Sequence, residues 1–156
     1  MSVRVENLPP MRVAYVHHHG PYHEIGDAFA VLMEWALLAG IDLADEQVLA
    51  VSDNRPGSPG SEGERYDAAV TVKDDVEGTA VVGIETVGGG DYLIVEHVGP
   101  YDTLDEAYRL AGEDAAANGW AQRPGPALEF FENDPETTEA PELRTYVYVP
   151  VVEAGA

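Results

Sequence analysis

One carboxylate and three aromatic rings near the end of the chain could form a ligand-binding surface. Successive side chains of a strand point to opposite faces of a sheet. On the same strands, the residues that alternate with this acid and these rings are apolar, and we expect them to lie under a helix. The acid and the rings would then lie together on the other face of the sheet. Ring faces attract cations, and a carboxylate adds a complementary charge. The pattern therefore favours a pocket for flat, apolar, often cationic molecules, formed by Glu129, Phe131, Tyr146 and Tyr148. A hydrated sheet face with a solvent-exposed glutamate is the alternative.

Other candidate chemistry is weaker. Four histidines, His17, His18, His19 and His23, look like a metal cluster, but on a strand they diverge and no carboxylate stands at a familiar ligand spacing. The repeated glycines 88–90 precede a strand rather than a helix, so they do not predict a phosphate loop. The serines lie outside any nucleophile-elbow pattern, and cysteine is absent. The sequence predicts no metal and no cofactor.

The charge of the chain limits its partners. Eight basic residues against 29 acidic ones give a net charge of −21, and the acids are scattered along the chain. Such a surface repels phosphate backbones, so direct binding of nucleic acid is not expected. Adaptation to a salt-rich cytoplasm and attraction of cations both remain open as explanations. The chain has no apolar run of the roughly 20 residues that a membrane span needs and no signal peptide at its start, so we expect a cytoplasmic protein without a membrane partner.

An internal repeat sets the predicted architecture. The residues His18, Gly20, Pro21 and Tyr22 recur 79 positions later, from His97 to Tyr101. At this offset 17 of the 70 positions from 3 to 72 are identical, against about 5 expected by chance from residue usage. The match predicts two copies of one structural unit, at about 3–73 and about 79–152, within a single domain over 1–156.

Each copy is predicted to contain four strands and one helix. Apolar residues at spacings of three and four predict a helix from about Tyr22 to Ala39, which Gly40 ends. The second helix is expected from about Tyr101 to Asn118, and a loop from Asp53 to Glu64. Each half is therefore β-β-α-β-β, an α+β fold with antiparallel sheets. We expect the two sheets to face each other across a cleft at the pseudo-twofold axis.

Several segments resemble the GyrI-like small-molecule-binding domains, also called AraC-type or bacterial transcription-activator effector-binding domains. The segments are 11–15 leading into 18–22, 97–101, and 129 through 133–135 to Arg144 and Tyr148. The resemblance implies a duplicated β-β-α-β-β fold with a ligand cleft between the halves. It also implies that Glu129 meets the charge of a lipophilic cation and that Phe131, Tyr146 and Tyr148 line the cleft. Trp35 and Trp120 are further candidates to cap it.

Three functions follow from these residues and the resemblance. The first is a stand-alone small-molecule binder, since no helix-turn-helix segment precedes the first strand. The second is a hydrolase of reactive electrophiles, in which Glu129 acts as base and Tyr146 or Tyr148 donates a proton. The third is a protein-partner role, such as gyrase inhibition or work as a regulatory subunit. The sequence leaves open a homodimer or a separate regulatory partner.

Overall fold

The computed structural model describes residues 3–19, 26–52, 65–134 and 137–154. In these ranges the chain forms an α+β fold, as predicted, and its helices are α1 (Gly26–Leu38) and α2 (Leu104–Ala117). The strands are β1 (Val3–Asn7), β2 (Met11–His19), β3 (Val48–Ser52), β4 (Arg65–Thr71), β5 (Gly83–Val87), β6 (Asp91–Val98), β7 (Trp120–Gln122), β8 (Ala127–Phe131) and β9 (Arg144–Glu153). The short strand β7 was not predicted. The predicted first turn of α1 and the predicted loop 53–64 lie outside the described residues.

All strand pairs are antiparallel, and eight strands form one continuous sheet in the order β1-β6-β9-β8-β3-β4-β2-β5, with β7 added beside β9. The prediction of two sheets that face each other is therefore wrong. The two repeats join side by side, because β3 of the first pairs directly with β8 of the second. The cleft cannot lie between two sheets and must lie on one face of this single sheet.

The 79-residue repeat is visible in the element bounds. Strand β3 corresponds to β8, β4 to β9, and helix α1 to α2 at this offset, with bounds that agree within three residues. Gly40 and Gly119 follow the two helices with φ of +76° and +79°, the left-handed conformation that ends helices and favours glycine. The first strands are exchanged, since β1 pairs with β6 of the other repeat and β5 with β2. The halves therefore share their hydrogen bonds and depend on each other.

Both helices pack on the same face of the sheet, here called the helix face. Helix α1 covers β2 and β4, whereas α2 covers β6, β7 and β9. Their apolar residues enter two separate cores, one under each helix, with Leu32 and Ala36 in the first and Ala107 and Ala111 in the second. The central strands β3 and β8 thus lie between the two helices.

The other face, here called the far face, carries a third core. Val87 of β5 and Tyr92 of β6 meet in it with Val51 and Leu128 of the central strands, although β5 and β6 are distant in the sheet order. The sheet must therefore curl around this core. Backbone hydrogen bonds between Leu8 and residues 89 and 90 extend the β1–β6 ladder into the β5–β6 turn.

Neither described helix is both long and apolar enough to cross a membrane.

Candidate functional site

The pseudo-twofold axis of the repeat passes beside Glu129. Glu129 and Ala50 are equivalent positions of the two repeats, and they also stand directly opposite each other in the β3–β8 ladder. The ladder brings the equivalent residues together because β3 and β8 are themselves equivalent strands. A carboxylate on one side of the axis and a methyl group on the other make the centre of the helix face asymmetric.

Glu129 is buried and held in place by a helix. Its side chain is 2% exposed, and its Oε2 accepts a hydrogen bond of 2.5 Å from the hydroxyl of Tyr108 on α2. This hydrogen bond holds the carboxyl group in one orientation. Buried acids are uncommon because water solvates them better than protein does. Burial of Glu129 therefore lowers the free energy of unfolding.

Aromatic rings stand beside the acid, and they come from both repeats. Phe131 lies two residues after Glu129, on the same face of β8. Its ring meets Phe29 of α1 at 5.7 Å between centroids and Tyr101 at 5.3 Å, both edge to face. Burial raises the pKa of Tyr101, with a smaller contribution from the charge of Asp134. The Tyr101 hydroxyl thus stays a neutral hydrogen-bonding group at neutral pH.

A buried histidine supports the turn that carries Tyr101. The Nε2 atom of His97 lies 3.0 Å from Thr103 Oγ1 and 3.2 Å from the Pro100 carbonyl oxygen. His97 is 2% exposed. The repeated His-x-Gly-Pro-Tyr segment is thus a structural support for the site in the second repeat. Its copy at 20–22 lies outside the described residues.

Small residues lie on the helix face between the two helices. Ala50 and Ser52 of β3 and Ala127 of β8 share this face with Glu129, and all are buried. The acid, the rings and these small residues are here called the central groove. It has the composition of a ligand site, which is mostly apolar with one directed polar group.

The structure brings together only two of the four residues predicted on one face. In the β8–β9 ladder Leu128 stands opposite Tyr148 and Phe130 opposite Tyr146. Tyr146 and Tyr148 therefore share the far face with Leu128 and Phe130, while Glu129 and Phe131 lie on the helix face. The prediction that these four share a face is wrong, because it took Leu128 and Phe130 for residues covered by a helix.

The two far-face tyrosines have other contacts. Tyr148 packs between Phe130 at 4.8 Å and Tyr92 at 6.1 Å. The Tyr146 hydroxyl donates to Glu96 at 3.1 Å. Trp35 packs into the core under α1 and Trp120 into the core under α2.

Sequence reasoning missed Tyr108 and Phe29, although a signal was present. They are equivalent positions at the 79-residue offset, both are aromatic, and they stand on the two helices. Phe29 contacts Phe131, and Tyr108 contacts Glu129. A search for paired aromatic residues in the repeats would have placed both in the cleft.

A sheet shared by two repeats, with an acid on its pseudo-twofold axis and rings from both helices around it, defines a duplicated α+β ligand-binding domain. The chain belongs to the family described as the GyrI-like small molecule binding domain, whose model matches residues 1–152.

Individual relatives agree with this assignment. The chain is 25% identical over 135 residues to YosT of Bacillus subtilis (strain 168), a SPbeta prophage-derived candidate transcriptional regulator; the match covers 84% of this chain and 89% of YosT. It resembles the C-terminal domain of EcmrR with a TM-score of 0.86 at 15% identity, covering 98% of both chains. In the EcmrR–DNA complex the chain covers only 57% of the EcmrR chain.

Two further solved structures share the fold. A hydrolase encoded by lin2189 of Listeria innocua matches with a TM-score of 0.69 at 13% identity, covering 96% of this chain and 91% of the other. SAV2435 bound to tetraphenylphosphonium matches with a TM-score of 0.61 at 14% identity, covering 97% and 94%. At these identities the likeness shows the fold alone.

Proposed function

We propose that the chain binds lipophilic organic cations in the central groove, with Glu129 as the counter-charge. The observation that carries the proposal is the carboxylate of Glu129, 2% exposed and held by Tyr108 on the pseudo-twofold axis. A ligand cation that reaches this carboxylate would gain an electrostatic attraction that solvent screens poorly. The solved structure of SAV2435 with tetraphenylphosphonium supports a ligand of this class.

In this proposal the rings beside Glu129 contact the cation. Phe131, Phe29 and Tyr101 lie on the helix face, so their rings could enclose an apolar cation beside the acid. Ring–cation attraction strengthens when both groups leave water. In this proposal Tyr146 and Tyr148 are replaced as wall residues by Phe29, Tyr101 and Tyr108.

The same geometry favours binding over turnover. The hydrolase alternative requires Tyr146 or Tyr148 to donate a proton in a reaction in which Glu129 is the base. Both tyrosines lie on the opposite face of the sheet from Glu129. The phenol of Tyr108 does contact Glu129, and its hydroxyl already donates to Oε2 of Glu129.

A pair of ions of the same shape and opposite charge tests the proposal. Tetraphenylphosphonium and tetraphenylborate are titrated calorimetrically into the wild type and Glu129→Gln, in sodium chloride because potassium precipitates the borate. We expect the cation to bind and the anion not to bind. Glu129→Gln should weaken binding of the cation about tenfold or more, because the cation loses one buried charge partner.

The matched control is Glu132→Gln, a nearby glutamate whose side chain is 48% exposed, for which we expect wild-type affinity. Equal affinity for both ions would contradict the proposal. So would an unchanged cation affinity in Glu129→Gln. Loss of the titrated compound during the experiment, followed by NMR, would instead indicate turnover.

A further inference from the structure

A second cavity lies on the far face of the sheet, away from Glu129. Its volume is about 550 Å³, and Tyr15, His17, Asp67, Glu85 and Arg123 are among its lining residues. This size is within the range of small-molecule sites, which also favour the mouths of curled or closed sheets. The cavity is here called the far-face pocket, and the sheet itself separates it from the central groove.

One wall of the far-face pocket depends on a glycine. Tyr15 of β2 stands directly opposite Gly83 of β5. A Cβ atom at position 83 would lie 2.6 Å from Cζ of the Tyr15 ring. The ring therefore lies across the glycine backbone, and any larger residue would displace it. The Tyr15 ring forms part of the wall in this position.

An arginine fixes another wall. Arg123 Nη2 donates to the carbonyl oxygens of Gly89 and Asp91 at 2.9 and 3.1 Å, and Nε donates to that of Val151 at 3.1 Å. Its guanidinium also lies 4.8 Å from the centre of the Tyr92 ring. These contacts direct the cation of Arg123 at backbone oxygens and a ring, and they hold the segment after β7 against the β5–β6 turn.

Polar side chains of the pocket come from three neighbouring strands. His17 of β2 stands opposite Asp67 of β4, and its Nδ1 lies 2.7 Å from Asp67 Oδ1. A carboxylate only accepts, so Nδ1 carries the proton of this hydrogen bond. Glu85 of β5 stands opposite Val13, two residues from Tyr15, on the same face. Two carboxylates and an imidazole thus adjoin one cavity.

We infer that the far-face pocket binds a primary ammonium group attached to a small apolar or aromatic body. An ammonium carries three N–H donors and one positive charge, which suits the carboxylates of Asp67 and Glu85 on two neighbouring strands of the pocket. Tyr15 and Val51 offer apolar surface to the rest of the molecule. A bare metal ion fits less well, since no three His, Asp or Glu side chains of the described ranges group closely enough to hold one.

The test compares 2-phenylethylammonium with its N-trimethylated form and with 2-phenylethanol, by calorimetric titration of the whole chain. The trimethylated form keeps the charge but has no N–H donor, and the alcohol keeps the shape without the charge. We expect the primary ammonium to bind about tenfold tighter than either, because charged hydrogen bonds are strong. Asp67→Asn and Glu85→Gln should each weaken it about tenfold.

Two further variants locate the binding. Glu113→Gln changes an exposed helix residue and should keep wild-type affinity for 2-phenylethylammonium. Gly83→Ala, which displaces the Tyr15 ring, should weaken it even if both acid variants fold poorly. Unmeasurable binding of the ammonium to the wild type would overturn the inference. Equal affinity for the three compounds, or a loss confined to Glu129→Gln, would also overturn it.

Discussion

At the scale of single residues, the site depends on the pairing of Glu129 with Tyr108. The carboxylate is buried on the helix face, and the phenol orients it from α2. The far face carries a comparable pair, Tyr146 and Glu96, at 3.1 Å. Because the two tyrosine–glutamate pairs lie on opposite faces, the pair of Tyr146 and Glu96 serves as a control for the pair of Tyr108 and Glu129.

Tyr108→Phe removes the bond to Glu129 and leaves the ring in place. We expect the free energy of unfolding to fall by about 1–2 kcal/mol and the affinity for tetraphenylphosphonium to fall about threefold to tenfold. Urea denaturation and calorimetry measure the two quantities. Tyr146→Phe, the comparison on the far face, should leave cation affinity unchanged. If the two variants changed cation affinity equally, Tyr108 would have no special role.

A second prediction concerns pH and Tyr148. Burial raises the pKa of Tyr148 above its ordinary 10.0, and the charge of Arg4 partly opposes this rise. Because the folded state favours the neutral phenol, the stabilisation is complete below the unfolded pKa and is lost as pH rises through the folded pKa. We expect the free energy of unfolding to fall between about pH 9 and about pH 11. In Tyr148→Phe the fall should be smaller, and an equal fall in both proteins would contradict the assignment.

At the scale of elements, the repeat predicted the order of strands and helices but not which residues share a face. The 79-residue offset in the sequence predicts β3, β8 and both helices. It could not assign the faces of β8, because Ala127, Leu128, Glu129 and Phe130 are all buried. A strand covered on both sides has no alternation of polar and apolar residues. Only the register with β9 separates Glu129 from Tyr146 and Tyr148.

Alanine at the glycines after the helices and at the glycine inside α2 should change the free energy of unfolding in opposite directions. Gly40 and Gly119 have positive φ and no neighbouring atom that a Cβ would meet. Alanine at either should therefore lower the free energy of unfolding by about 1 kcal/mol through backbone strain alone. Gly112 lies inside α2, has equal space and has no positive φ. Gly112→Ala should raise the free energy by about 0.5–1 kcal/mol.

Urea denaturation of the three alanine variants checks these signs. Destabilisation by Gly112→Ala, or an unchanged stability in both Gly40→Ala and Gly119→Ala, would contradict the helix ends described above.

At the scale of the whole molecule, a net charge of −21 acts on the fold and on the ligand together. Repulsion among the acids opposes the compact state, and salt screens it. We expect the melting temperature to rise by several degrees between about 0.1 and about 1 M sodium chloride, as measured by differential scanning calorimetry. An unchanged or lower melting temperature would show that repulsion does not limit stability. Adaptation to a salt-rich cytoplasm remains a prediction.

Salt should also separate the buried site from the surface. Charges on the surface are screened beyond about 8–10 Å at moderate salt, whereas the Glu129 carboxylate is almost fully buried. Specific binding of a cation in the central groove should therefore decline less with salt than nonspecific attraction to the acidic surface. The two proposed sites lie on opposite faces of the single curled sheet, so each can be mapped by its own residues.

The most direct test of the central claim is methyl NMR of the alanine-labelled chain during titration with tetraphenylphosphonium. Ala50 and Ala127 flank Glu129 on the helix face, whereas Ala69 belongs to the far-face core. The account predicts shifts at Ala50 and Ala127 that saturate with the cation, and little change at Ala69. Saturating shifts at Ala69 with unchanged Ala50 and Ala127 would contradict it and would place the cation on the other side of the sheet.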